Sequence, residues 1–137
     1  MKQLEVVAAI LLRNKRILCV QRGENKYPYI SGKYEFPGGK PEPGESREEA
    51  VKRELQEELK MEIEIQEAFM TVTHQYPDFH LTMHTFICTS NTPALTLTEH
   101  INYLWLPANE LLGLDWAAAD LPIIEKLITS RYASGEE

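Results

Sequence analysis

Residues Gly38–Met61 read GGKPEPGESREEAVKRELQEELKM, which sets four glutamates and an arginine at fixed distances behind a pair of glycines. Counting from Gly39, five residues precede Glu45 and seven more precede Arg53-Glu54; Leu55, Gln56, Glu57-Glu58, Leu59, Lys60 and Met61 follow. Ser46-Arg47-Glu48-Glu49 has the form of a capping box, in which the first and fourth side chains satisfy each other's backbone amides, so it places a helix start at Ser46. Nothing from Arg47 to Leu59 breaks a helix, and the spacing predicts one of about three to four turns. Val51, Leu55 and Leu59 recur as an apolar stripe, while Ala50, Glu54, Glu57 and Glu58 share an adjoining face. Like charges three and four positions apart repel, so this acidic triad is unfavourable unless a cation or a basic group sits among the three. Arg53, one turn before Glu57, offsets only part of that repulsion.

A glutamate-rich helix taken alone reads as a solvated surface helix. The glycine pair ahead of it, Glu45 at its offset and the Arg-Glu pair turn the reading towards a metal site, because a surface helix has no reason to carry an ordered glycine loop before it. Carboxylate oxygens suit hard divalent cations, and Mg2+ held by a few carboxylates keeps positions open for water and substrate phosphates. The chain carries 21 acidic and 14 basic residues, a formal net charge of −7, so it repels a polyphosphate unless metal ions mediate the contact. A metal here would bridge phosphates, stabilise the leaving group and lower the pKa of an attacking water.

The stretch resembles the Nudix box, G-x5-E-x7-R-E-U-x-E-E-x-G-U with U a bulky apolar residue, at every defining position except the last glycine, which is Lys60. The resemblance implies an enzyme that cleaves a nucleoside diphosphate linked to another moiety, using Mg2+ or Mn2+. It implies that Glu54, Glu57 and Glu58 hold the metals with a backbone carbonyl of Gly38 or Gly39, and that Glu45 pairs with Arg53 to orient them. Glu99 falls where related enzymes bring an acidic loop residue over the site, so either Glu54 or Glu99 takes the proton of the attacking water. Attack at the β-phosphorus of a (d)NTP would release the nucleoside monophosphate and pyrophosphate. The family's glycine ends the helix in a left-handed conformation. Lysine there is expected to cost on the order of 1 kcal/mol, or to let the helix end differently.

Outside this stretch, Leu4 to Leu12 is a continuous apolar run, Arg13-Asn14-Lys15 a hairpin turn and Arg16 to Gln21 a second strand. Glu24 to Gly32 reads as a loop and Tyr34-Glu35-Phe36 as a short strand. Glu62 to His74 and His80 to Thr89 form a hairpin, Ile101 to Leu106 another strand, and Ala108 to Leu114 and Asp120 to Tyr132 helices. The expected fold is an α/β (α+β) sandwich with a mixed β-sheet between helices, and the likeness to the Nudix fold runs over nearly the whole chain. Residues 1–132 are expected to form one domain, with 133–137 a frayed tail. Within the family the likeness is to MutT-type nucleoside triphosphate pyrophosphohydrolases, including the branch acting on cytidine nucleotides. It rests on Leu4-Glu5-Val6-Val7-Ala8-Ala9, Tyr34-Glu35-Phe36-Pro37-Gly38-Gly39-Lys40 and Ala117-Ala118-Ala119-Asp120-Leu121-Pro122.

For specificity, the resemblance places Arg22 on a phosphate and Asp120 on the base edge, where an aspartate accepts when ionised and also donates when protonated. Asp120 also reads as the N-cap of the last helix, and the two roles are compatible. Tyr29, Tyr34, Phe36 and Phe79 are candidate stacking walls or core, and Glu35, Pro37 and Gly38 belong to the substrate-binding segment. His74, His80, His84 and His100 show no ligand spacing and receive no chemistry. Cys19 and Cys88 read as reduced core residues. At 137 residues and 43% hydrophobic, the chain suits one core. With no basic run, no bilayer-length apolar stretch and no secretory signal, it fits a cytoplasmic enzyme, monomeric or homodimeric, without nucleic-acid or membrane partners. The expected substrates are oxidised or modified (d)NTPs, such as 8-oxo-dGTP or cytidine-type triphosphates. The alternatives are ADP-ribose, a dinucleoside polyphosphate, or a catalytically silent nucleotide-binding module.

Overall fold

A computed structural model describes residues 1–134. Strands β1 (Lys2–Arg13) and β2 (Arg16–Gln21) are joined through Asn14 and Lys15, both at positive φ (50° and 65°), the backbone twist that a two-residue hairpin turn demands. The apolar run in β1 shows no alternation because both faces are covered. Val7, Ala9 and Leu11 pack with helix α1 (Arg47–Leu59), while Ala8, Ile10 and Leu12 pack on the other side with helix α2 (Leu121–Ile128). β6 (Phe79–Thr89) runs parallel to β1 from Lys2↔Phe79 to Leu12↔Thr89, and β5 (Glu64–Gln75) pairs antiparallel with β6. The result is the expected mixed sheet between helices.

β1 and β2 pair only beside their turn, at Leu12↔Ile17 and Arg13↔Arg16, and then separate. The short strand β3 (Tyr34–Glu35) joins β2 and β4 (Gly38–Gly39) joins β1, while β7 (Asn102–Leu106) pairs with β2. The segment from Tyr34 to Gly39 thus bridges the split between β1 and β2 and delivers the glycine pair to the start of α1. The capping box forms as read: Ser46 Oγ accepts from the Glu49 amide (3.0 Å) and Glu49 Oε1 from the Ser46 amide (2.8 Å).

Two expected helices are shorter or tighter than their patterns suggested. Ala108–Gly113 is a 3-10 segment, pinned by buried Leu111, whose carbonyl accepts from Trp116 Nε1 at 2.7 Å. Six residues are too few to repay α-helix nucleation, so the tighter turn forms. The last helix stops at Ile128 instead of Tyr132, because the Thr129 and Ser130 hydroxyls turn back onto the Lys126 and Leu127 carbonyls (3.2 and 2.8 Å). A separate turn, Arg131–Ser134, follows; it buries Tyr132, whose hydroxyl donates to Glu67 Oε1 (2.7 Å). This turn runs into the stretch expected to fray, and the rest of that stretch, 135–137, lies outside the described residues. Cys19 and Cys88 are free and buried, and burial pushes each thiol up to about 12, which leaves them unreactive. No helix among the described residues is long and apolar enough to cross a membrane.

Candidate active site

Helix α1 sets Ala50, Val51, Leu55 and Leu59 into the sheet, which leaves Glu54, Glu57 and Glu58 along the edge that faces β4. Both glycines of β4 are required by close approach. A Cβ at Gly38 would collide with the Val7 carbonyl oxygen, and one at Gly39 would stand 2.5 Å from the Glu54 carboxyl. The Gly38 contact is backbone and cannot give, so Gly38→Ala is expected to destabilise the protein by about 1–3 kcal/mol in denaturant melts. At Gly39 the obstacle is a side chain, so Gly39→Ala is expected to displace Glu54 and to lower turnover more than stability.

Arg53 braces the acidic edge. Its Nε and Nη2 donate to the two oxygens of Glu45 (2.7 and 3.0 Å), Nη1 donates to Glu54 Oε1 (2.9 Å) and Glu57 Oε1 (3.1 Å), and Nη2 also reaches the Lys40 carbonyl (2.9 Å). The bidentate pairing holds the Glu45 carboxyl below the usual carboxylate range.

Glu58 has no such partner. Its side chain is 6% exposed and Oε1 makes no hydrogen bond. Burial, followed by the neighbouring Glu54 carboxyl, pushes its pKa well above the ordinary carboxylate value. A desolvated acid beside two others is the setting a hard divalent cation would relieve, so these donors fit Mg2+ or Mn2+. Among the described residues no three such side chains already form a ready-made metal cluster. Mg2+ does not need one, because it keeps several positions for water and phosphate oxygens.

The loop before β7 docks on the end of α1, where helix carbonyls lack intrahelical partners. The Thr96 amide donates to Leu59 O (2.8 Å), the Thr98 amide to Glu58 O (3.1 Å) and the Thr98 hydroxyl to the same carbonyl (2.9 Å). That docking carries exposed Glu99 to the site, where its charge acts on Glu58. It also buries His100, whose Nε2 lies 2.9 Å from Glu35 Oε2.

Beside this edge a cleft of about 350 Å³ opens between the β1–β2 split and the turn Ala118–Asp120. Arg22, Glu35, Phe36, Tyr76, Phe79 and Asp120 line it, together with Gly38 and Gly39, so the glycine pair connects cleft and acidic edge. Asp120 is 4% exposed, and its Oδ1 accepts from the Phe36 amide at 3.3 Å. Burial raises its pKa well above the ordinary value and Glu35 adds to the rise; the Phe36 amide and Arg22 pull the other way without cancelling it. Burial thus favours the neutral form of Asp120, in which a carboxyl both donates and accepts.

A family model described as a NUDIX domain matches residues 6–126. The chain belongs to the Nudix family. It is 35% identical over 133 residues to the CTP pyrophosphohydrolase of Escherichia coli K12, covering 97% of each chain. It is 31% identical over 128 residues to the 8-oxo-dGTP diphosphatase of the same organism, covering 93% of this chain and 98% of that one. The MutT protein of Methanosarcina mazei Go1 superposes with a TM-score of 0.83 at 26% identity, covering 93% and 94%. The protein is a MutT-type Nudix hydrolase, an enzyme acting on phosphoric anhydrides.

In this Nudix hydrolase the fold brings Glu45, Arg53, Glu54, Glu57, Glu58 and Glu99 to one edge, and Arg22, Glu35, Phe36, Gly38, Phe79 and Asp120 to the adjoining cleft. Three residues expected at the substrate are placed elsewhere. Tyr34 packs against Trp116 and accepts from Asn102 Nδ2 (3.1 Å). Pro37 is buried with its carbonyl on the Ala9 amide (2.8 Å). Tyr29 stacks on Tyr76 (5.0 Å between centroids) and donates to Asp78 Oδ2, outside the cleft lining. Asp120 stands at the N-cap position of α2 but makes no side-chain cap, since its carboxyl turns to Phe36.

Tyr27 and Tyr76 line the cleft and His100 lies between cleft and box; the sequence reading assigned none of them. No local spacing marks His100, because its partners Glu35 and Glu58 are far away in the chain.

Lys60, at the family's glycine position, adopts the left-handed conformation after all (φ 57°), with its amide on the Gln56 carbonyl at 3.0 Å. Lys60→Gly is expected to change stability by about 1 kcal/mol or less in thermal melts. Turnover should stay within a fewfold, since Lys60 touches neither edge nor cleft; a tenfold change at equal stability would contradict this.

Proposed function

We propose that this Nudix hydrolase cleaves nucleoside triphosphates between the α- and β-phosphorus, releasing nucleoside monophosphate and pyrophosphate, and that its substrates are cytidine-type or oxidised nucleotides. The observation that carries the substrate reading is the carboxyl of Asp120, buried in the cleft that adjoins the glutamate edge, where burial favours its neutral form. A neutral carboxyl offers a donor and an acceptor side by side, which complements the N3 and amino group of cytosine, and equally the N7–H and O6 of 8-oxoguanine. The two named relatives from Escherichia coli act on these classes of nucleotide.

Glu54, Glu57 and Glu58 would hold Mg2+, or Mn2+ in its place, with a carbonyl of Gly38 or Gly39. When bound, the metal supplies charge neutralisation on the phosphates and a lowered pKa for water. The chain's own part is orientation: Arg53 keeps Glu54 and Glu57 aimed at the edge, Glu45 fixes Arg53, and Arg22 meets a phosphate. Glu99 or Glu54 takes the proton of the attacking water. We assign the protein to the cytoplasm as a monomer or homodimer, with no nucleic-acid polymer as partner.

The test is turnover of a nucleotide panel with Mg2+: normal and oxidised dNTPs, CTP, modified dCTPs, ADP-ribose and a dinucleoside polyphosphate. Monophosphate with pyrophosphate from 8-oxo-dGTP or a cytidine triphosphate supports the reading. Cleavage confined to ADP-ribose or the dinucleoside compound overturns the substrate class, and no turnover with any metal overturns the reaction.

A further inference from the structure

His100 sits where two parts of the site meet. Its side chain is 5% exposed, and it is fixed from both sides of the chain: Thr98 is bonded to the end of α1, and the Ile101 amide donates to the Gln21 carbonyl (2.9 Å). Nε2 lies 2.9 Å from Glu35 Oε2, and the other oxygen of Glu35 lies 3.8 Å from Arg22 in the cleft. Nδ1 faces Glu58 Oε1 at 3.9 Å. Three buried side-chain polar atoms among the described residues lack a hydrogen-bond partner, and these two are the ones that face each other; the third, Arg13 Nε, lies apart on β1. Buried polar atoms are almost always bonded. The gap is too narrow for a bridging water, so a slight turn of either side chain is what would satisfy both atoms.

We propose that His100 is the positioning residue for Glu58: with Nδ1 as donor it holds that carboxylate in the orientation its cation requires, while Nε2 rests against Glu35 in the cleft. A carboxylate that binds a cation through one oxygen needs its other lone pairs and its torsion fixed by outer hydrogen bonds. Arg53 does this for Glu54 and Glu57, and it does not reach Glu58. His100 is the polar side chain placed to do so. The same ring contacts Glu35, so an occupant of the cleft that engages Arg22 or Glu35 also bears on the metal-holding glutamate.

The experiment is Mn2+ binding without nucleotide, read from the free-Mn2+ electron paramagnetic resonance signal, with thermal melts as the folding control. His100→Asn keeps an amide near the place of Nδ1, and His100→Gln keeps one near Nε2. We expect His100→Gln and His100→Ala to bind Mn2+ about 10–100-fold more weakly than wild type, and His100→Asn to recover most of the affinity. A side chain that only fills space would show no such split. Equal Mn2+ affinity in wild type, Asn and Gln variants, or equal loss in both, overturns the proposal. Should His100→Ala not fold, the Asn and Gln pair carries the comparison. The inference rests on Glu58 as a metal ligand, and Glu58→Gln separates the two failures. Unchanged Mn2+ binding in Glu58→Gln sinks that assignment, whereas loss in Glu58→Gln with no effect of His100 substitutions sinks only the role of His100.

Discussion

Glu58→Gln is expected to lower kcat by about 10²–10³-fold while leaving the metal-free protein as stable as wild type or more so. The activity loss follows from removing one charged donor of a site that contributes several kcal/mol of transition-state stabilisation, at about 1.4 kcal/mol per tenfold. The stability gain follows from burial. Glu58 is desolvated, its Oε1 has no partner, and Glu54, Glu35 and Glu99 all act to keep it from ionising. A neutral amide of the same shape removes that penalty, and its NH2 can donate to the Glu54 carboxyl while its oxygen faces His100 Nδ1. Glu57→Gln is the contrast. Its side chain is 59% exposed and bonded to Arg53, so the same change should cost a comparable factor in turnover with no gain in melting temperature. Steady-state kinetics under saturating Mg2+ and melts in chelator read both. Near-wild-type turnover in either variant would remove that glutamate from the metal site.

The box was legible from sequence because its physics is local. The capping box, the apolar stripe and the acidic face all lie within a few turns of one helix, and each formed where the spacing put it. β1 was equally legible, since a run buried on both faces needs only its own composition to be recognised. What escaped is long-range or depends on competition. His100 acquires its place from Glu35, 65 positions away, and from a loop that docks on α1. The aromatic residues Tyr29 and Tyr34 carry the same chemistry as Tyr27 and Tyr76, and only tertiary packing decides which pair lines the cleft. The last helix carried helical periodicity beyond Ile128, but Thr129 and Ser130 hydroxyls outcompeted the next backbone bonds. Lysine stands at the family's glycine position because the turn there needs a left-handed residue, which Lys60 supplies while the docked loop bonds the helix end.

Asp120→Ala is expected to erase base preference, and Asp120→Asn to change how stability depends on pH. For Ala, the cleft loses its paired donor and acceptor, and a bidentate contact of that kind discriminates by about 1–3 kcal/mol. The favoured nucleotide should therefore lose about 10–100-fold in kcat/KM, while nucleotides already disfavoured change little. The Phe36 amide also loses its acceptor, but that cost falls on every substrate alike and does not affect the ratio. A uniform drop across the panel would mean that Asp120 supports the cleft without reading the base. For Asn, the sign follows from the raised pKa of Asp120. The unfolded chain releases this proton near the ordinary value of about 3.9, whereas the folded protein retains it to higher pH. Above that value the native state binds more protons than the unfolded state, so this residue's contribution to stability declines as pH rises, until the folded pKa is passed. Asn has no proton to release, so the melting temperature of Asp120→Asn should gain on wild type steadily from about pH 4 upward. A gap that narrows with rising pH would show that Asp120 is held ionised, and the neutral donor–acceptor pair on which the substrate reading depends would be lost with it.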